Sequence, residues 1–170
     1  QGPKKAAYHS DVSRIVDPLL EGGVSCGGVL GTVAVNAPRV ALQAKGNDSK
    51  FVEMIHSSIR TAVRALRLQK EKLVEYLKHS SPSSPLNMEW QGLPLFSPLH
   101  GQSNIALVGL FEAAAIQRNI DESHVEHIVD ACSDYAQAAL GAIEEEQTGN
   151  GVNCQLTYAS SEPVGFRLSS

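Results

Sequence analysis

A glycine-rich stretch near the start of the chain carries a pattern that resembles a catalytic nucleophile. Residues 23–27 read Gly-Val-Ser-Cys-Gly and fit G-x-S-x-G, a string that in hydrolases exposes a serine on a sharp turn between a strand and a helix. Here the preceding residues have helical spacing and the following ones are rich in valine, so the order of elements is reversed. We therefore interpret the stretch as the entry to a strand, with no Gly-Lys-Ser/Thr ending to cradle a phosphate.

Two histidines near acidic residues are the strongest candidates for metal ligands. His127, Asp130 and Asp134 can share one face of a predicted helix, and His124 lies three residues before His127. Zinc sites on helices usually place two histidines four apart with a glutamate between them, and a polar stripe is also what a solvent-facing helix presents. We therefore predict no metal site and no cofactor. His100 could line a cleft, but the sequence supplies no partner for it.

Basic and apolar residues extend around the second half of a long predicted helix. The arginines recur at i, i+4 and i+7, and the apolar residues that follow cover more than one face. In one alternative, the arginines form a solvated basic ridge whose charges pair with neighbouring glutamates. In another, the segment 88–99 folds back and covers the apolar end of the helix. The sequence predicts a surface for a protein partner or a second copy at Arg60, Arg64, Arg67, Leu73, Tyr76 and Leu77.

Composition excludes several classes of protein. The 170 residues are 42% hydrophobic and 19% charged, as in one soluble domain, which we place at 4–170 because residues 1–3 resemble a tag remnant. The net charge of −4 argues against a nucleic-acid partner. No apolar run is long enough for a bilayer, so no membrane partner is expected. Three cysteines without ligand spacing indicate a reducing, intracellular location in the cytoplasm; Cys132, on an apolar helix stripe, is expected to be buried and unreactive.

Hydrophobic periodicity predicts an α+β domain in which two long amphipathic helices pack on a small, mainly antiparallel sheet. A hairpin of two strands precedes the long helix, and a mobile Ser/Pro loop at 79–87 follows it. Residues 105–116 are almost wholly apolar, and their three consecutive alanines favour a helix over a strand. The predicted helices are 11–21, 48–79, 105–116 and 123–143, and the predicted strands are 24–35, 40–45, 153–159 and a last one ending at Leu168.

The early order of short helix, two strands and long helix resembles the opening of roadblock and longin-type modules. If residues 105–111 form a strand, the resemblance extends to the helix near Ser123. It implies an α-β-β-α-β-β-β-α module as the alternative fold.

Two functions follow from these patterns. The absence of a catalytic constellation favours a non-catalytic interaction or scaffold subunit that acts through its helix faces. The alternative is a small enzyme or ligand-binding domain that uses the Gly23–Gly28 region with His100 or with His124 and His127.

Overall fold

The computed structural model describes residues 6–8, 14–16, 28–90, 93–121, 123–148 and 151–158. Within these ranges the chain forms short strands and four helices. The strands are β1 (Ala6–Tyr8), β2 (Arg14–Val16), β3 (Val29–Asn36), β4 (Glu89–Trp90), β5 (Leu93–Pro94), β6 (Gln102–Val108) and β7 (Asn153–Tyr158). The helices are α1 (Ala37–Ala44), α2 (Asp48–His79), α3 (Leu110–Arg118) and α4 (Val125–Gln147), and a 3-10 turn lies at Pro85–Asn87.

A parallel sheet of three strands organises the domain, in the order β3-β6-β7. Parallel neighbours need long crossover connections, and two pairs of helices supply them. Helices α1 and α2, followed by the β4–β5 hairpin, connect β3 to β6, and α3 and α4 connect β6 to β7. Strands β1 and β2 form a separate antiparallel pair. The mixture of helix and strand is confirmed, but the predicted antiparallel sheet is wrong.

The predicted strand 40–45 is a helix, because the residues before it begin a helix and do not form a hairpin turn. Asn36 caps α1 through its side chain, which accepts a hydrogen bond of 3.0 Å from the backbone N–H of Arg39. Pro38 lies in the first turn, where a missing N–H costs nothing. The helix ends at Ala44, and the capping residue after it, Lys45, has a left-handed φ of 56°. Asn-Ala-Pro is therefore a helix start, and β3 has no hairpin partner beside it.

Residues 105–116 divide into the end of β6 and the start of α3. Gly109, with a φ of 68°, separates the two elements. The predicted single helix is therefore wrong for the first part of this segment. The predicted long helix, the fourth helix and the strand near residue 153 are confirmed as α2, α4 and β7.

The predicted first helix falls largely outside the described residues, and its described part, Arg14–Val16, is the strand β2. The predicted last strand, ending at Leu168, also lies outside them. The roadblock or longin-type order is wrong for the described residues, because a helix follows β3 directly. Within the same residues, no helix is both long and apolar enough to cross a membrane.

The core lies between one face of the sheet and the helices. Phe51, Ile59 and Leu66 of α2 and Ile128 and Ile143 of α4 are fully buried there. Residues of β3, β6 and β7 complete the same cluster. All four helices contribute to this cluster, which lies on one side of the sheet.

Candidate functional site

The two faces of the parallel sheet carry different side chains. Residues that pair across strands share a face, and successive residues alternate between faces. Val33, Ile105 and Leu156 are paired across β3, β6 and β7 and pack in the core beneath the helices. The residues between them therefore point to the opposite side.

Amide and hydroxyl side chains, with two alanines and one valine among them, make up this opposite side, which we call the polar face. Its central row is Thr32, Asn104 and Gln155, and the next row is Ala34, Ala106 and Thr157. None of the described residues on this face has an ionisable side chain. The polar face consists of Thr32, Ala34, Asn36, Gln102, Asn104, Ala106, Val108, Asn153, Gln155 and Thr157.

Burial and hydrogen bonding on the polar face are uneven. Gln102 and Asn104 are 5% and 2% exposed, whereas Thr32 and Ala34 are exposed on the edge strand β3. The Gln102 Nε2 donates to Gln155 Oε1, so that pair of amides is linked. The Asn104 Oδ1 is buried and has no hydrogen-bond partner. A buried acceptor without a donor costs roughly 1–3 kcal/mol, and a bound ligand would remove that cost.

The chemistry of this face suits a neutral, hydrogen-bonding ligand. Amides offer donors and acceptors, and threonine hydroxyls offer both. The Ala34 side chain ends at Cβ and is exposed, so a ligand can come close to the sheet at the β3 edge, where Thr32 is also exposed. Ala106, on the central strand, is 1% exposed and is already covered.

A groove of about 500 Å³ continues from the polar face around the outer edge of β3. It shares Ala34 and Asn36 with that face and is walled by α1 and α2. Its lining includes the hydroxyls of Ser57 and Thr61 and the exposed side chain of Arg39. The described structure therefore places one basic residue beside an otherwise neutral surface.

The histidines and acidic residues that the sequence offers as metal candidates do not converge in the described residues. His124 and His127 lie on the exposed surface at the start of α4, with ring centroids 6.2 Å apart, and no group of three or more ligating side chains is found in the ranges that the structure describes. His100 is exposed in a turn. Residues 23–27 of the predicted strand entry lie outside the described residues.

The predicted basic ridge lies on the surface of α2, and two of its arginines are paired. The Arg60 Nε lies 2.7 Å from Glu146 Oε1 of α4, and the Arg67 Nε lies 2.8 Å from Glu71 Oε1. Arg64 is exposed. Both pairs lie at the surface, so they contribute modestly to stability.

The apolar end of α2 is partly covered within the chain. Leu73 and Leu77 are half-buried and Tyr76 is exposed. Residues 94–99, except Leu95, line a groove of about 320 Å³ together with Val74, Leu77 and Lys78. The fold-back of this segment, which the sequence left open, is therefore observed in part. That a partner binds at Leu73, Tyr76 and Leu77 stays a prediction.

The two described cysteines belong to the helix side of the sheet. Cys132 is half-buried on α4, its Sγ lies 3.6 Å from the carbonyl oxygen of Leu110, and burial raises its pKa. Cys154 is buried in the core, where loss of solvation raises its pKa to about 11. Both thiols are therefore held protonated near neutral pH. Slow modification of Cys132 stays a prediction.

Sequence reasoning missed the polar face. The sequence carries little signal for it, because residues 102–104 are all polar and residues 105–108 are all apolar, so β6 lacks the alternation that indicates a half-buried strand. The apolar run from Ile105 onward is therefore interpreted as helical. The other two strands of the face lie far away in sequence, so only the fold brings the rows together.

Comparisons with known proteins give one family. A family model described as anaerobic ribonucleoside-triphosphate reductase matches residues 9–168. A comparison with curated proteins finds no match. Among solved structures, the anaerobic ribonucleotide reductase from Thermotoga maritima with glycerol in its active site has a TM-score of 0.56 and 19% identity over 74% of this chain. Another structure of that enzyme, with citrate in its active site, has a TM-score of 0.56 and 20% identity over 74% of this chain.

The match covers a small part of those enzymes. This chain spans 20% of the length of the first structure and 24% of that of the second. At such identities the likeness shows a shared fold of this segment.

Proposed function

Since this chain belongs to the anaerobic ribonucleoside-triphosphate reductase family, we propose that it contributes part of a nucleotide-binding site to such a reductase. The observation that carries the proposal is the family match over residues 9–168. The polar face is the part of the described structure whose chemistry suits the nucleoside.

The prediction of a non-catalytic scaffold or interaction subunit is wrong. The family model and the similar solved structures are those of reductases, which are enzymes. The reasoning failed because it required a catalytic constellation within the sequence. A segment that covers a fifth of its relatives' length (20%) need not contain one.

A ribonucleoside presents ribose hydroxyls and a base edge, all of them neutral hydrogen-bonding groups. The polar face offers matching amides and hydroxyls without charge, and the buried Asn104 Oδ1 is an acceptor without a partner. The Thermotoga maritima reductase holds glycerol, a polyol, in its active site. That observation supports a hydroxyl-binding surface in this family.

The triphosphate needs a different surface. The groove along β3 adjoins the polar face at Ala34 and Asn36 and carries Arg39. A guanidinium binds phosphate oxygens through several donors, so Arg39 suits the phosphate end of the ligand. In this proposal the described residues bind and orient the nucleotide, while the groups that transfer electrons come from outside them.

Filling the polar face tests the proposal. Ala34 is exposed in the row of the polar face next to that of Asn104. The larger side chain of Ala34→Phe should therefore occupy the place of the ligand and leave the fold intact. Leu42→Phe on α1, at a position 64% exposed, is the matched control. Calorimetric titration with CTP should show binding by the parent chain and by Leu42→Phe, and at least tenfold weaker binding by Ala34→Phe, a loss of about 1.4 kcal/mol. Absence of CTP binding by the folded parent chain, or equal binding by both variants, contradicts the proposal.

The partners and the cellular location of the protein are proposed together with this function. We propose a protein partner or self-association for the reductase, with no membrane or nucleic-acid partner, and a cytoplasmic location. The net charge of −4 supports the exclusion of nucleic acid.

A further inference from the structure

We propose that a groove along the second half of α2 binds an acidic segment of a partner protein through two large apolar side chains of that segment. This groove, which we call the α2 groove, extends along α2 from Arg67 to Lys78 and consists of two adjoining depressions of about 310 and 320 Å³. Val74 and Leu99 line both depressions, so the two form one continuous surface. The inference goes beyond the proposed nucleotide site and does not depend on it.

Apolar side chains make up much of the α2 groove. Val74 and Leu77 of α2 line it together with Phe96 and Leu99 of the segment before β6. Leu99 is 70% exposed, and apolar side chains gathered at an open groove are stabilised when a partner covers them. At 1.5 Å per residue the groove is about 16 Å long, which is the length of a helix of roughly ten residues. An occupant of that length can place one apolar side chain in each depression.

The charged residues of the α2 groove are mainly basic, although the chain as a whole has a net charge of −4. Arg67 and Lys70 lie at one end and Lys78 at the other. The single acidic residue of the lining, Glu71, is 2.8 Å from Arg67. Lys70 donates to the carbonyl oxygen of Gly151 at 2.9 Å, and no ion pair among the described residues includes Lys70 or Lys78. Positive charge at both ends complements an occupant that carries carboxylates beside its apolar side chains.

The position of the α2 groove favours a protein partner over a substrate. Leu99 lies shortly before β6, and Val152 directly precedes β7, so the groove lies at the end of the sheet where these strands begin. The groove proposed for the phosphates contains Asn36, the last residue of the parallel strand β3, and so lies toward the opposite end. Small ligands of open parallel sheets bind outside the carboxyl ends of the strands. A groove at the other end that is apolar and basic suits a peptide segment.

Selection from a peptide library tests the chemistry of the occupant. Random peptides of about ten residues, the length that spans the groove as a helix, are displayed on phage and selected on the immobilised parent chain. We expect the selected peptides to carry net negative charge and at least two large apolar residues. Selection of basic or wholly polar peptides, or no enrichment on the folded chain, would overturn the inference.

Two variants locate the binding site of the most enriched peptide, which is labelled with a fluorophore and titrated by anisotropy. Lys78→Glu reverses a charge at one end, and Leu99→Ser removes the apolar side chain that both depressions share. Both positions are exposed, so the fold should be unaffected, and each variant should bind at least tenfold more weakly than the parent. The matched controls are Lys72→Glu, at a side chain 78% exposed, and Leu42→Ser, at a residue 64% exposed. The controls should bind as the parent does, and parent-like binding by Lys78→Glu and Leu99→Ser would contradict the inference.

Three further measurements separate the remaining outcomes. When the acidic residues of the peptide are replaced by lysine one at a time, one such peptide should bind Lys78→Glu more tightly than the parent, which a misfolded variant would not do. If every such peptide prefers the parent, the charge complementarity is wrong. If sedimentation velocity shows that the parent self-associates and that Leu99→Ser is monomeric, a second copy occupies the groove and the inference is wrong. Lys78→Glu should bind CTP as the parent does, so that loss of peptide binding and failure of the nucleotide site are distinguished.

Discussion

The two faces of the parallel sheet differ in what determines their side chains. Beneath the helices, Val33, Ile105 and Leu156 are apolar and pack against α2 and α4, so shape and burial account for them. On the opposite face, Thr32, Asn104 and Gln155 occupy the same three strands, with one buried oxygen unpaired. The helix side is mainly apolar, although the Ser103 Oγ on that side is also buried without a partner. The polar face differs in carrying a row of amides and hydroxyls, and this difference supports the proposed ligand.

The largest effect should come from a truncation on the helix side. Ile105 is fully buried, and Ile105→Ala should lower the free energy of unfolding by about 3 kcal/mol, because it removes apolar contacts and leaves a cavity. Leu42→Ala, at an exposed position of α1, is the control and should change it by less than about 0.5 kcal/mol. Urea denaturation followed by circular dichroism measures both. Equal effects would show that the helix side of the sheet is not the packed core.

The next effect concerns the turn at which β6 leaves the sheet. Gly109 has a φ of 68°, and a Cβ there would lie 2.6 Å from Cγ of the Pro38 ring. Gly109→Ala should therefore cost about 2 kcal/mol through backbone strain and steric overlap. Gly141→Ala is the control, because a Cβ at Gly141 meets nothing within 4 Å. A Gly109→Ala protein as stable as the parent would contradict the described turn between β6 and α3.

A smaller effect concerns pH, to which the two faces should respond differently. Burial and a hydrogen bond to Asp48 raise the pKa of Tyr135 to about 12, from an ordinary value of 10.0. The folded state therefore keeps a proton that the unfolded state loses. Stability should be complete below pH 10 and should fall as the pH rises from 10 to 12. Cys154, with its pKa raised to about 11, adds a fall from pH 9.

Urea midpoints between pH 8 and pH 11 measure this dependence. Tyr135→Phe should have a shallower fall above pH 10, since it has no proton to lose. Gln155→Leu, a change on the polar face, should leave the shape of the curve unaltered. A Tyr135→Phe curve parallel to that of the parent would show that Tyr135 does not contribute to the pH dependence.

The smallest effect should come from the surface pair that links the two long helices. Arg60 and Glu146 join α2 to α4 at 2.7 Å, but the Arg60 side chain is 59% exposed. Arg60→Ala should therefore lower the free energy of unfolding by about 0.5 kcal/mol or less. Arg64→Ala, one turn further along α2, serves as the matched exposed control. A loss above about 1 kcal/mol for Arg60→Ala alone would give this pair a larger role than its exposure indicates.

The sequence predicted the elements whose periodicity is long and regular. Helix α2, with its apolar residues from Phe51 to Leu66 on one face, and helix α4 were both identified from spacing alone. Strand β7 was identified from its alternation. These patterns are local, so one segment contains all the information that they need.

The sheet topology and the polar face depend on contacts that are distant along the chain. Parallel pairing brings Thr32, Asn104 and Gln155 together from three separate segments. Asn36 and Pro38 predict a turn or a helix start equally well, and the choice between them decided whether β3 had a hairpin partner. Because the sequence does not decide between a turn and a helix start there, it does not predict whether the strands are parallel, and hence it does not predict the polar face.

Side-chain amide signals during a CTP titration test the central claim most directly. In a nuclear magnetic resonance spectrum of this 18.2 kDa chain, each asparagine and glutamine side chain has its own pair of amide signals. We predict that CTP shifts the signals of Gln102, Asn104 and Gln155 on the polar face. The signals of Gln69 and Gln147, whose side chains donate to Leu30 and Cys154 from the helices, should stay in place. Shifts confined to those helix residues, or no shifts at saturating CTP, would contradict the assignment of the polar face as the nucleotide site.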